Sequence, residues 1–197
     1  SKGIYTTKPG QFSSISGNLD DISTIEFIDQ NPIGQSSRSN PVTYIKAYDD
    51  IRNLFAKQSA SKQFSFKPKH FSFNVDGGRC DDCKGEGIIK VEMQFMADIN
   101  LICETCKGKR FKKNVLQVTY QNKNIDDILK MTIDEGYNFF NEKGQNKIAN
   151  KLKALMDVGM GYVNLGQSSS TLSGGEAQRI KLASFILKGQ SAAKTLF

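Results

Sequence analysis

The 197-residue sequence contains no run of apolar residues that approaches the roughly 20 positions needed to cross a membrane. It also lacks the pattern of a signal peptide. A hydrophobic content of 38% beside 24% charged residues is ordinary for a globular protein. The length is enough to bury a core, either as one domain or as a domain with an insertion.

Acidic residues are the scarcer charged class, with 20 Asp and Glu against 27 Lys and Arg, so the formal net charge is +7 at pH 7. Residues 51–75 contain no acidic residue, and basic residues there are interleaved with phenylalanines. Such a mixture can form a nucleic-acid groove, in which charges meet phosphates and rings meet bases. Two simpler interpretations are open: the rings are strand residues facing a core, and the lysines serve solubility. The residues concerned are Phe64, Phe66, Phe71, Phe73, Lys67 and Lys69.

Cysteine is also sparse, but its spacing is informative. The four cysteines form two Cys-x-x-Cys pairs, Cys80 with Cys83 and Cys103 with Cys106, separated by 19 residues. Each pair is followed by a glycine, as in knuckles that turn backbone N–H groups toward sulfur. Four thiolates suit a tetrahedral Zn²⁺ in a closed structural site, whereas a redox dithiol would not need a second pair. We therefore predict one structural zinc ion, which would supply about 10 kcal/mol or more of folding free energy.

A helix start near the end of the chain has the features of an anion site. Ser173 is a strong N-cap, and Glu176 three residues later completes a capping box. Gly174 and Gly175 weaken a helix, but they let a ligand approach its free N–H groups and positive dipole end. Apolar residues at helical spacing continue the helix to a predicted stop at Gly189. The capping box alone favours an ordinary surface helix, and the glycine pair favours a phosphate site.

The remaining patterns predict an α+β fold of helices and short antiparallel strands. Thr132 and Glu135 form a second capping box at the start of one helix. Predicted strands cover residues 24–29, 90–95 and 115–120. Predicted helices cover residues 41–55, 125–131, 132–140 and 146–158. For residues 1–23 we expect loops with a short strand or two.

Residues 172–183 closely resemble the ABC-ATPase signature motif in the form used by the UvrA family, the damage sensors of the excinuclease in bacterial nucleotide excision repair. Other stretches resemble the same family's C-terminal Q-loop region, its C-terminal zinc finger and its approach to the signature, namely residues 28–34 with 37–44, 71–110 and 155–167. The resemblance runs from about residue 24 onward. His70 and Asp76 depart from it, since basic residues are expected there.

The resemblance implies a fragment of an ABC-ATPase signature domain, with a helical bundle, short antiparallel strands and a four-cysteine zinc-finger insertion. Residues 1–75 would hold the Q-loop region and first helix, 76–113 the zinc-finger module, and 114–197 the helical signature region. Gln30 would be the Q-loop residue that senses metal and γ-phosphate in this half's own ATP site. The signature contacts to an ATP held by the opposing module would come from Ser173, Gly174, Gly175 and Glu176.

The partners implied by the resemblance are damaged double-stranded DNA, the other ABC module and a second copy of the same protein in a homodimer. The helicase-like excinuclease partner, UvrB, would bind a part of the family's chain that is not in this sequence. The resemblance also implies that the protein acts in the bacterial cytoplasm. ATP and Mg²⁺ would be the cofactors of the intact protein, beside the zinc ion. Weaker candidates for DNA contacts are Lys67, Lys69, Lys107, Lys109, Arg110, Lys112 and Lys113.

The sequence has no Gly-x-x-x-x-Gly-Lys-[Ser/Thr] loop and no apolar strand that ends in Asp-Glu. We therefore expect an excised piece that has no catalytic residues and hydrolyses no ATP by itself. Two alternatives carry no ATPase link: a zinc chaperone domain, and a basic zinc module that binds nucleic acid. The chaperone repeat Cys-x-x-Cys-x-Gly-x-Gly is complete only in the first knuckle, because Arg110 replaces the last glycine of the second.

Overall fold

The computed structural model describes residues 11–14, 16–22, 24–34, 36, 38–93, 95, 98–188 and 195–196. The helices within these residues are α1 (Pro41–Tyr44), α2 (Ala47–Ala56), α3 (Ser59–Gln63), α4 (Lys113–Leu116), α5 (Ile125–Lys130), α6 (Ile133–Glu142), α7 (Asn146–Asp157) and α8 (Gly174–Lys188). Short 3-10 turns occur at Leu19–Asp21, Pro68–Phe71 and Ser169–Thr171. The predicted helix stop at Gly189 lies outside the described residues.

Short strands pair in three two-stranded sheets. The strands are β1 (Thr24–Ile25), β2 (Ile88–Val91), β3 (Ile99–Ile102), β4 (Thr119–Tyr120), β5 (Lys123–Asn124) and β6 (Thr195–Leu196). β2 pairs antiparallel with β3, and β4 with β5, whereas β1 pairs parallel with β6. The α+β fold predicted from the sequence is confirmed. No helix in the described part of the chain is long and apolar enough to span a membrane.

The core of the helical region forms around α7, which packs against α2, α6 and α8. Ile148, Leu152 and Leu155 recur at helical spacing on α7 and are fully or almost fully buried. α6 begins as predicted, because the Thr132 hydroxyl accepts from the Glu135 N–H at 3.2 Å and the Glu135 carboxylate accepts from the Thr132 N–H at 2.9 Å. These two helices are the parts of the fold that local patterns predicted best.

A buried carboxylate ties α2 to α7. Asp50 on α2 accepts from Lys147 at 2.7 Å and from Lys151 at 2.6 Å, and its side chain is 13% exposed. Burial alone would raise the pKa of Asp50, but the hydrogen bonds from the two lysines outweigh burial and lower this pKa below its ordinary value. The ion pairs therefore stabilise the packing of the two helices.

Two of the four phenylalanines considered for a nucleic-acid groove are fully buried in the core. Phe71 and Phe73 are fully buried, and the Tyr48 hydroxyl donates to the Phe71 carbonyl at 2.7 Å. Phe66 is half-buried against the core, and Phe64 is 45% exposed. The core interpretation is thus confirmed for Phe71 and Phe73. The predicted strand conformation is wrong, since residues 59–63 form α3 and 68–71 form a 3-10 turn.

Four further sequence predictions need correction. Of the strand predicted at 115–120, only Thr119–Tyr120 form a strand, β4. Residues 115–116 belong to helix α4, because Val115 and Val118 are both buried at helical spacing. The predicted helix 41–55 is interrupted at Lys46, whose φ of 59° is left-handed. The strand predicted at 24–29 is confined to β1, and the one predicted at 90–95 is shifted to β2.

Candidate metal centre and signature-helix site

The four cysteines form one buried cluster, although they are far apart in sequence. Strands β2 and β3 form the hairpin that joins the two knuckles, and the Cys103 N–H donates to the Gly87 carbonyl at 3.0 Å. The sulfur atoms of all four cysteines lie within 4.8 Å of one another. Four Cys ligands in this arrangement could hold one metal ion.

The sulfur spacing fits a tetrahedral ion. Ligands bound at about 2.3 Å around a tetrahedral zinc lie about 3.8 Å from one another. The Sγ–Sγ distances are 3.9 Å between Cys80 and Cys103 and 3.6 Å between Cys83 and Cys106. The residues present therefore fit the zinc ion predicted from the sequence.

The two knuckles repeat the same left-handed backbone conformations. After the second cysteine of each pair come a lysine and a glycine with positive φ, and the fourth residue is again left-handed. The φ values are 49° for Lys84, 85° for Gly85 and 79° for Gly87 in the first knuckle, and 51° for Lys107, 79° for Gly108 and 67° for Arg110 in the second. A Cβ at Gly85 would lie only 2.2 Å from the Phe73 carbonyl oxygen, so this glycine is required by close packing.

The surroundings of the sulfur atoms differ. Burial raises the pKa of the Cys80 thiol and raises that of Cys106 to about 12. The backbone N–H of Cys106 lowers the pKa of the Cys103 thiol, and the Gly87 N–H donates to Cys83 Sγ at 3.2 Å. The buried thiols therefore require a cation before they ionise together near neutral pH, as a bound metal ion provides.

Helix α8, called the signature helix here because it carries most of residues 172–183, begins with the predicted capping box. The Ser173 N–H donates to one Glu176 carboxylate oxygen at 2.7 Å, and the Ser173 hydroxyl accepts from the Glu176 N–H at 3.3 Å. The Tyr162 hydroxyl donates to the other oxygen of Glu176. Hydrogen bonds from Tyr162 first and Ser173 second lower the pKa of the Glu176 carboxyl. The sequence carried no signal for Tyr162, which lies in a turn 14 residues upstream.

The two glycines of the signature have different surroundings. A Cβ at Gly174 would lie 3.2 Å from Gln30 Cβ and 3.4 Å from the Gln30 carbonyl oxygen. Among the described residues, a Cβ at Gly175 would meet no atom within 4 Å beyond its chain neighbours and its own helix backbone, and this residue is exposed. Packing within the chain therefore accounts for a small residue at Gly174 but not at Gly175.

The structure brings Gln30 to the signature helix. Gln178 on α8 donates to the Ile28 carbonyl at 3.1 Å, and Lys181 forms an ion pair with Asp29. These contacts place exposed Gln30 next to Gly174, so two predicted site residues from opposite ends of the chain are neighbours. Contacts between residues so far apart in the chain cannot be predicted from local sequence patterns.

Among the basic DNA candidates, the structure separates exposed residues from those with partners in the chain. Lys112 forms an ion pair with Asp81 at 2.8 Å. Arg110 is half-buried, and its side chain donates to the Gly166 carbonyl at 3.1 Å. The exposed candidates are Lys67, Lys69, Lys107, Lys109 and Lys113.

No family model matches the chain. Comparison with individual known proteins gives matches to one protein, UvrABC system protein A, from several bacteria. It is 55% identical over 189 residues to UvrABC system protein A from Clostridium tetani, which covers 96% of this chain and 20% of that protein. UvrABC system protein A from Aquifex aeolicus is 52% identical over 188 residues, covering 95% of this chain and 20% of that protein.

Among solved structures, the crystal structure of UvrA2 from Deinococcus radiodurans matches with a TM-score of 0.83 and 42% identity, covering 91% of this chain and 22% of that chain. The chain thus spans about a fifth of the length of the relatives it matches. The family resemblance predicted from the sequence is confirmed: the chain is similar in sequence and fold to one segment of these proteins.

Proposed function

Because almost the whole chain is similar to one segment of UvrABC system protein A, we propose that it forms the signature region and zinc module of an ABC-type ATPase. The parent protein would recognise damaged DNA in bacterial nucleotide excision repair. The chain would act as one segment inside that parent.

The uncovered N-terminus of α8 is the observation that carries the proposal. Ser173 and Gly175 are exposed, and apart from its chain neighbours and its own helix backbone no described atom lies within 4 Å of a Cβ built at Gly175. The helix N-terminus offers free N–H groups and a positive dipole to a phosphate that approaches from outside. Ser173, Gly174, Gly175 and Glu176 thus form the signature face that closes on the γ-phosphate of ATP, where charge is stabilised during transfer.

The ATP and its Mg²⁺ belong to another module in this proposal. The 197 residues contain no Gly-x-x-x-x-Gly-Lys-[Ser/Thr] loop, and we assign the phosphate cradle to that other module. Gln30 lies beside Gly174 and is available to sense the metal and γ-phosphate of this half's own site. The chain supplies half of a composite site and has no catalytic residue of its own.

The cysteine cluster holds one structural Zn²⁺ in this proposal. Cys80, Cys83, Cys103 and Cys106 supply all four ligands, which leaves no open position for catalysis. Such an ion supplies folding free energy to a small module. It stabilises the two knuckles and the β2–β3 hairpin.

The partners follow from the charge distribution and the family resemblance. Damaged double-stranded DNA is the expected anionic partner, and the five exposed lysines named above are its candidate phosphate contacts. The opposing ABC module and a second copy of the parent complete the ATP sites, while UvrB binds elsewhere on the parent. Residues 1–75, 76–113 and 114–197 are our proposed division into Q-loop, zinc and signature regions.

Steady-state phosphate release tests the proposal. The isolated chain should release no phosphate from ATP above the blank, and the parent protein should lose most of its turnover on Ser173→Ala. Ser170→Ala is the matched control, since Ser170 is an exposed serine three residues upstream. Turnover by the isolated chain that Ser173→Ala abolishes would contradict the proposal, as would a parent protein indifferent to that change.

A further inference from the structure

Arg110 occupies a backbone position at which the first knuckle has glycine. It follows Cys106 by four residues, as Gly87 follows Cys83, and the φ values are 67° for Arg110 and 79° for Gly87. Left-handed backbone is unfavourable for an L-residue with a long side chain, and glycine adopts it freely. The arginine therefore requires an explanation that the knuckle conformation does not provide.

The backbone of Arg110 is held by both knuckles. Its carbonyl accepts from the Cys80 N–H at 2.8 Å. Its backbone continues the second knuckle, in which the Lys109 N–H donates to the Cys106 carbonyl at 3.0 Å. Arg110 thus lies in the backbone linkage between the two knuckles that carry the four cysteines.

The side chain of Arg110 leaves the zinc module. Its guanidinium lies 5.6 Å from the ring centroid of Phe73 and donates to the Gly166 carbonyl at 3.1 Å. A cavity of about 290 Å³ opens beside this contact, and its lining includes Gly108, Arg110 and Gln167. The hydrogen bond from the guanidinium is a direct bridge between the second knuckle and residues 164–167.

Residues 164–167 lead directly into the signature helix. The Gly166 N–H donates to the Leu129 carbonyl at 2.8 Å, so α5 holds one side of this residue and Arg110 the other. The chain then continues through the 3-10 turn Ser169–Thr171, where the Ser169 N–H donates to the Ser39 carbonyl at 2.7 Å, and reaches the N-cap Ser173.

We propose that Arg110 is a positioning residue that fixes the loop 164–167, and through it the N-terminus of the signature helix, to the metal-loaded cysteine cluster. Its importance for ATP hydrolysis rests on the function proposed above. The linkage itself does not, because it is a property of this chain that can be measured without ATP. The guanidinium at this position is thus not available to DNA.

Hydrogen exchange on the zinc-loaded 197-residue chain tests the linkage, with the Leu165, Gly166 and Gln167 amides as reporters. Arg110→Gly removes the guanidinium and suits the left-handed backbone, so the variant should bind zinc with unchanged stoichiometry and affinity in a chelator competition. Exchange at the three reporters should rise about tenfold, as expected when a charge-assisted hydrogen bond is lost. Chelating the zinc from the wild-type chain should produce a similar rise.

Lys107→Gly is the matched control, because Lys107 is an exposed, left-handed residue of the same knuckle. It should leave the reporters unchanged, and the Leu152 and Leu155 amides in α7 should stay protected in both variants. Unchanged reporter exchange in zinc-loaded Arg110→Gly would overturn the proposal. Loss of zinc or of α7 protection in that variant would also overturn it, since Arg110 would then be a folding residue of the knuckle.

The result is independent of the outcome of the ATPase experiments. If Ser173→Ala leaves the parent's turnover intact, the function proposed for the signature helix fails, while the exchange data still decide the role of Arg110. If the reporters respond as expected, Arg110→Gly in the parent protein should lower ATP turnover.

Discussion

Replacing Gly175 by alanine should stabilise this chain and impair ATP hydrolysis by the parent protein. Gly175 lies in the first turn of α8, is exposed, and has open space where a Cβ would be. Alanine is favoured over glycine in helices by about 0.5–1 kcal/mol. For a chain of this length, that gain corresponds to a rise of about 1–2 °C in the thermal midpoint.

The same methyl group should be harmful where the signature meets the γ-phosphate. It would occupy the space through which the phosphate approaches the N–H groups of the helix, and overpacking at such a contact costs about 1–3 kcal/mol. We therefore expect turnover by the parent protein to fall by about tenfold or more. Phosphate release measures the turnover, and thermal unfolding of the isolated chain measures the stability.

A gain in the stability of the chain together with a loss of turnover by the parent distinguishes a ligand contact at Gly175 from a folding role. Ser173→Ala alone does not, because losing an N-cap also destabilises the helix by about 1 kcal/mol. Asn146→Ala is the matched control, since it places alanine in the first turn of α7, away from the signature. It should leave turnover unchanged. Wild-type turnover by the Gly175→Ala parent would refute the assignment of this glycine to the phosphate.

Two further predictions concern stability. Removing the metal with a chelator should abolish protection of the β2–β3 hairpin amides while α7 stays protected, as hydrogen exchange would measure. Acidification should weaken zinc binding, because the thiols must lose protons to bind the ion, and a chelator competition measures this affinity. Asp50→Asn should destabilise the chain by about 1–2 kcal/mol in urea unfolding, and control Asp49→Asn by under about 0.5 kcal/mol. Because the folded-state pKa of Asp50 is lowered, its contribution is present above the ordinary value near 3.8 and is lost as the pH falls through the lowered one.

Local patterns predicted those parts of the structure whose causes are local. Capping boxes act between residues three apart, so the starts of α6 and α8 could be read from Thr132 and Ser173. The cysteine spacing likewise predicted a cluster that the structure brings together. The error at Val115 has a different cause: a β-branched residue favours strands, but burial in the common core placed it in a short helix.

The contacts around the signature could not be predicted, because they join residues far apart in the chain. Lys181 and Gln178 hold the segment before Gln30, about 150 positions away. Arg110 was counted among the DNA candidates from its charge, whereas its side chain is directed inward by a left-handed backbone and a carbonyl 56 residues away. Net charge and periodicity contain no information on such pairings.

The capping carboxylate poses a physical problem at the proposed phosphate site, since a negative charge in the first turn should repel a phosphate. The structure resolves it through the hydrogen bonds to Glu176. One carboxylate oxygen accepts from the Ser173 N–H and hydroxyl, and the other accepts from the Tyr162 hydroxyl. These donors direct the carboxylate back toward Ser173 and Tyr162 and distribute its charge over three hydrogen bonds. The Gly175 side of the helix N-terminus therefore remains open to an anion, although the cap itself is acidic.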